Sequence, residues 1–242
     1  MTDISYWTNL NPQIKYEPTR KKYYDQYFCR LVLTAPAAMI INDPNNDDLG
    51  IALAQRTSVV RNINYGGTWG ISNPRLLIDQ ADLGQLEILQ QIKNDYKNIK
   101  IRVEEPWVQL YSVDELELRA LATRFNKEQC HKLIYISFPK NDEHKKLLDA
   151  GHILTKISNN FKYKIYIRDG YYSKEIKQQL LSFLTNIDSE VKVSAGTTRM
   201  LSSNHSYVWG CFLYANDPNI STFMSLIGPN IIRKIHELTT VE

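Results

Sequence analysis

Residues 161–168 alternate one by one: Phe161, Tyr163, Ile165 and Ile167 fall on one side, and Lys162, Lys164, Tyr166 and Arg168 on the other. Successive side chains of a strand point to opposite faces, so a period of two marks a β-strand. A strand with one apolar and one cationic face belongs in an antiparallel sheet that is covered on one side only. Residues 99–104 repeat the pattern, with Ile99, Ile101 and Val103 set against Lys100, Arg102 and Glu104.

Between such strands lie helix signals. Leu83, Leu86, Leu89, Ile92 and Tyr96 recur at helical spacing, and Asp82 with Gln85 has the form of a capping box. Ser112 and Glu115 offer a second box, Ser173 caps a helix carrying Ile176, Leu180, Phe183 and Leu184, and Gly151 ends a helix over residues 142–149. Asp217 and Pro218 start another. Further strands are expected at residues 27–33, 107–111, 131–138, 191–194 and 207–214. A helix is expected from Asp47 or Asp48 to about Val60, and a last amphipathic helix at residues 231–238.

In chain order, residues 27–138 read β-α-α-β-β-α-β and residues 161–238 read β-α-β-β-α-α. Both contain the split β-α-β order that builds a four-stranded antiparallel sheet with helices on one face. The expected fold is therefore α+β, with two ferredoxin-like units in tandem. The expected division is a basic, mostly irregular arm over residues 1–24, a first unit over 25–150 and a second over 151–242.

Composition excludes several alternatives. With 43% hydrophobic residues and a net charge of +3, the chain is not of the disordered class. Three cysteines, Cys29, Cys130 and Cys211, are too few and too scattered for a disulfide scaffold and suit a reducing compartment. No apolar run approaches the roughly 18 residues of a membrane span, and polar residues 1–16 give no reason to expect a secretory signal. The sequence pI near 8.6 permits a polyanionic partner without demanding one.

No catalytic, metal or cofactor motif stands out. The five histidines lack ligand spacing, and the loop Tyr65, Gly66, Gly67, Thr68, Trp69, Gly70 lacks the Lys-Ser/Thr of a phosphate loop. Glycines there allow a tight loop around Trp69, whose ring with Tyr65 offers a stacking surface. The expectation is no cofactor, no metal and no enzymatic role. Cations hold phosphates and aromatic rings stack on bases, which is how open sheets bind single strands. Lys162, Lys164, Tyr166 and Arg168, with Lys192 on a neighbouring strand, form one such mixture. Tyr207 or Trp209 joins it if its strand faces outward. Arg20, Lys21 and Lys22, followed by Tyr23 and Tyr24, form a second.

These residues point to a non-enzymatic protein binding single-stranded nucleic acid. The richness in Asn, Ile, Lys and Tyr suggests an AT-rich genome such as that of a phage or other virus, with the host cytoplasm or the virion as location. A tyrosine-rich surface also fits a structural subunit of a virion or other assembly, with protein partners or self-association. A third alternative is a nuclease related in fold to enzymes that process guide RNA, for which fold analogy is a weak warrant.

Overall fold

Strand β2 (Cys29–Thr34) alternates between buried and half-buried residues along its whole length, as its apolar Cys29, Leu31 and Leu33 dictate. It occupies the middle of a five-stranded sheet in a computed structural model that describes residues 4–35, 38, 41, 80–104, 106–156, 160–187, 189–228 and 230–241. The chain divides into two compact units, Met1–Lys145 and Lys146–Glu242.

The first unit begins with α1 (Ser5–Leu10) and β1 (Lys15–Pro18) ahead of β2, and continues with α2 (Gln80–Asp95), β3 (Lys100–Glu104) and β4 (Trp107–Ser112). Then come α3 (Glu115–Ala122), α4 (Lys127–Cys130), β5 (Leu133–Phe138) and α5 (Asp142–Asp149), the last crossing the boundary between the units. The sheet order is β1-β5-β2-β4-β3, antiparallel except for the β1–β5 pair. Leu86, Leu89 and Ile92 of α2 are fully buried, as are Leu118 and Leu121 of α3, in a core with Leu31, Leu33, Leu110 and Ile136 of the sheet. Each such leucine contributes about 2 kcal/mol by leaving water.

The second unit runs β6 (Ile153–Thr155), β7 (Tyr163–Ile167), β8 (Gly170–Tyr171), α6 (Lys174–Asn186), β9 (Val191–Val193), α7 (Ala195–Ser202), β10 (Tyr207–Val208), β11 (Phe212–Ala215), α8 (Ile220–Ile227) and β12 (Ile232–Thr240). Its main sheet has the order β6-β12-β7-β11-β9, again antiparallel except at its first pair, and β8 with β10 forms a separate two-stranded sheet. Ile165, Ile167 and Leu213 of the sheet share a core with Leu180 and Leu184 of α6, Leu201 of α7 and Met224 of α8. The helices therefore lie on one face of this sheet. Among the described residues the protein is thus mixed α+β, with two five-stranded sheets and eight helices.

Several helix ends obey their local signals. Ser173 Oγ accepts from the backbone N–H of Ile176, and Gly151, at φ +90°, follows α5 in a conformation that favours glycine. Other elements depart from what local sequence predicts. Residues 231–238 are strand, not helix: Ile231, Ile235 and Leu238 are helically spaced, but the segment is rich in β-branched residues and fills the open edge of β7 through a register shift at Ile232/Lys234. Residues 207–214 are two strands in different sheets, divided at Gly210, whose φ is +65°. Helix α7 stands where the sequence pattern gives no helix signal strong enough to predict one. Ser194 caps it, and the Thr197 hydroxyl both donates to the Phe212 carbonyl and accepts from the Phe212 N–H.

Helix α2 starts two residues before Asp82, so Asp82 is not its cap; Gln85 instead donates to the Thr34 carbonyl. Asp114, not Ser112, caps α3. Helix α8 begins at Ile220 with Asn219 in the cap position, while Asp217 accepts from the Asn219 N–H. Residues 4–24 are not an irregular arm. Trp7 is fully buried with its indole N–H donating to Glu115 at 2.6 Å, and β1 extends the sheet alongside β5. The helix expected from Asp47 or Asp48 to Val60, and the loop with Tyr65 and Trp69, lie outside the described residues.

Candidate nucleic-acid interface

On β7 the alternation puts Lys164 and Tyr166 on the face away from α6, α7 and α8. Register carries that face across the sheet. Lys164 lies opposite Tyr214 of β11 and His236 of β12, and Tyr214 lies opposite Lys192 of β9. In the next row Phe212, Tyr166 and Lys234 stand side by side. The result is Lys192–Tyr214–Lys164–His236 beside Phe212–Tyr166–Lys234, with the first row closed at its His236 end, where the imidazole is buried and bonds to the Gly151 carbonyl. The one carboxylate in the strands of this sheet, Glu237, is paired in register with Tyr163 on the opposite side.

The rings and the cation hold one another. Lys164 Nζ sits 3.8 Å from the centroid of Phe212, 4.9 Å from Tyr166 and 5.5 Å from Tyr214. Cation–π contacts of this kind are worth about 0.5–2 kcal/mol, more as water is excluded. Lys164 and Tyr166 are half-buried, whereas Lys162, Arg168 and Lys192 are more open to solvent. Lys162 and Arg168 lie just beyond the two ends of β7, and Arg168 Nε donates to the Asn230 carbonyl at 3.0 Å. Phe161 departs from the strict alternation. It precedes β7, and its ring stacks on Tyr214 at 6.4 Å, which adds an aromatic residue to this cluster.

Near the end of β7 the small β8–β10 sheet carries three exposed rings in series. Tyr171 and Tyr207 are 5.0 Å apart, and Tyr207 and Trp209 are 6.2 Å apart with planes inclined by 27°. Their relative exposures are 82%, 41% and 54%, unusual for large rings that nothing forces outward. Val208 anchors the row in the core, and the buried Lys177 ammonium clamps the preceding segment by donating to the carbonyls of Ser203 and His205. Asp169 holds the other end by accepting from the Gly210 N–H and from Arg233.

The second basic and aromatic cluster, Arg20 to Tyr24, sits over the corresponding face of the first unit's sheet. Arg20, Lys21, Lys22, Tyr23 and Tyr24 line a concavity of about 590 Å³ together with Arg30 of β2. Sequence reasoning missed Arg30, Arg102, Tyr111 and Tyr135. Each faces this concavity by strand alternation, but their chain separation hid the grouping. The Arg30 guanidinium lies 4.9 Å from the Tyr23 centroid and 4.7 Å from that of Tyr135.

Burial works against the charge of Arg30, but the neighbouring Tyr23 and Tyr135 more than offset it and its pKa is raised. Burial, reinforced by Tyr24, pushes the Tyr111 hydroxyl up to about 12. Two carboxylates are also present, and both are engaged: Glu104 pairs with Arg102 and accepts from Gln109, and Glu17 accepts from the Tyr135 hydroxyl.

Among the described residues no three His, Cys, Asp or Glu side chains gather as a metal site would require, and no helix is long and apolar enough to cross a membrane. Burial raises the pKa of all three cysteines, Cys29 to about 12, which holds them as inert thiols. No family model matches the chain, and no curated protein matches it in sequence.

Proposed function

We propose that this chain is a non-enzymatic protein that binds single-stranded nucleic acid, with the face of the second sheet as the binding track. The observation that carries this reading is the double row of cations and rings around Lys164, on a face to which the strands contribute no carboxylate. Lys162 and Lys192 take phosphates, and the Tyr171, Tyr207 and Trp209 rings continue the track as a stacking surface.

The fold supports the same reading. Four strands of each main sheet follow one order, which supports reading each unit as a ferredoxin-like domain with an added parallel edge strand. The Asn-, Ile-, Lys- and Tyr-rich composition supports a phage or other virus as the source, acting in the host cytoplasm or in the virion.

The test is fluorescence anisotropy of a labelled single-stranded oligonucleotide over a range of salt concentrations. Affinity falls with salt. Lys162→Ala and Lys192→Ala each weaken binding and flatten the log–log slope by about 0.7 for each phosphate no longer neutralised. Absence of binding at low salt, or slopes indifferent to both substitutions, overturns the reading.

A subunit of a larger assembly is the second reading. It is favoured by α8, where Phe223 and Leu226 are 56% and 79% exposed and Phe223 lies 6.3 Å from the ring of Phe183. A strictly monomeric mass by light scattering at high concentration eliminates self-assembly.

A further inference from the structure

The concavity on the first unit has the chemistry of a discrete site. Arg30 rises from the central strand β2 and is held between the Tyr23 and Tyr135 rings. An arginine carries five N–H donors. Here Nη1 reaches Gln109 Oε1 at 3.5 Å, a long contact, the Tyr135 and Tyr111 hydroxyls also accept from the guanidinium, and the buried Nε has no acceptor among the described residues. Of the two carboxylates lining the pocket, Glu104 is paired with Arg102 and accepts from Gln109, while Glu17 accepts from the Tyr135 hydroxyl and keeps its charge. Arg20, Lys21 and Lys22 line the same space. Five cations, Arg20, Lys21, Lys22, Arg30 and Arg102, thus share the pocket with two carboxylates, Glu17 and Glu104.

A dianionic, multi-acceptor group fits those donors better than a carboxylate does, because phosphate presents several oxygens to a planar guanidinium. The rim supplies a second requirement. Tyr24 is 47% exposed, at φ +53°, and is fixed by Lys100 at 4.4 Å from its ring centroid and by Arg102, which donates to its hydroxyl at 3.3 Å. A ring held this way beside a phosphate site presents a flat face to an aromatic base. The volume of about 590 Å³ is in the range of small-molecule sites.

We infer that this concavity binds a nucleoside monophosphate unit, with the phosphate on Arg30 and the Arg20–Lys22 cluster and the base against Tyr24. The unit is either a free nucleotide or the phosphorylated end of a strand. This inference does not depend on the second sheet's track and stands or falls separately from it.

The experiment is calorimetric titration of the full chain at low salt with AMP, with inorganic phosphate, and with a short oligonucleotide bearing either a 5′-phosphate or a 5′-hydroxyl. AMP or the phosphorylated oligonucleotide binds more tightly than inorganic phosphate. Arg30→Met and the double variant Arg20→Ala/Lys22→Ala each lower that affinity about tenfold. The double variant leaves the strands of the sheet untouched, Arg20 being exposed and Lys22 half-buried, so it keeps the test decisive if Arg30→Met fails to fold.

Tyr24→Leu lowers AMP affinity and leaves phosphate affinity unchanged, while Lys162→Ala and Lys192→Ala leave both unchanged. Tight AMP binding assigns a free nucleotide; weak AMP binding together with tighter binding of the 5′-phosphorylated strand than of its 5′-hydroxyl counterpart assigns a strand end. The inference is overturned if neither binds, if inorganic phosphate binds as tightly as AMP, or if the double variant binds as tightly as the native chain.

Discussion

Two sheets of the same strand order present chemically different outer faces. In the first unit the face pairs its charges internally. Arg102 is matched by Glu104, Glu17 accepts from the Tyr135 hydroxyl, and Arg30 is capped by Tyr23 from a loop laid over the strands. In the second unit the face has cations and rings but no strand carboxylate, and Lys164 is surrounded by Phe212, Tyr166 and Tyr214. Strand order therefore says little about what a face can bind. Carboxylates placed among cations confine the charge to one pocket, while their absence leaves it spread along a track.

The sharpest way to separate the two units is to empty the core of each. Leu31→Ala and Leu213→Ala remove fully buried side chains from strands β2 and β11. Each costs about 2–5 kcal/mol, and with independent units each lowers one of two unfolding transitions followed by calorimetry. One transition shifted alike by both variants breaks the division into separately folding domains.

Next in size is Arg30→Ala. It strips a half-buried cation from between two rings and costs about 1–3 kcal/mol in chemical denaturation. Lys164→Met makes the matching change on the other face. It keeps the apolar stem and deletes only the charge, so stability shifts by about 1 kcal/mol or less while oligonucleotide affinity falls. A larger stability loss for Lys164→Met than for Arg30→Ala reverses the contrast between charge confined to one pocket and charge spread along a track.

The smallest effect separates the buried histidines. His236 bonds through Nδ1 to the Gly151 carbonyl at 2.6 Å, whereas Nδ1 of His144 has no partner among the described residues. Burial, then Lys140, against the opposing effect of Glu143, holds the pKa of His144 below its ordinary 6.5. As the pH falls, the unfolded chain takes up this proton before the folded one. The stability linked to His144 is therefore complete above pH 6.5 and declines as the pH drops below it. His144→Leu is expected to lessen the loss of denaturation midpoint between neutral and mildly acid pH; an unchanged slope counts against it.

The sequence was legible where a signal is local. Ser173 as a cap, Gly151 after α5 and the Leu86, Leu89, Ile92 stripe follow from neighbours a few residues away. Residues 231–238 misled because their spacing suits a helix as well as a strand, and only the unfilled edge of β7 decides between them. The Arg20–Tyr24 cluster was visible as a run of charge and aromatic residues. Arg30 beneath it was not, because a single arginine in an apolar strand carries no motif.

By itself, the amino-acid order determined the α+β class, the alternation that turns Lys164 and Tyr166 to one side of β7, and the Ser173 cap, since each depends on the backbone geometry of adjacent residues. Only the tertiary structure decided that Lys192, Tyr214, Lys164 and His236 form one row, and that Tyr23, Arg30 and Tyr135 close around one pocket. Strand register and loop placement bring those residues together, and both are set by burial and hydrogen bonding between segments far apart in the chain.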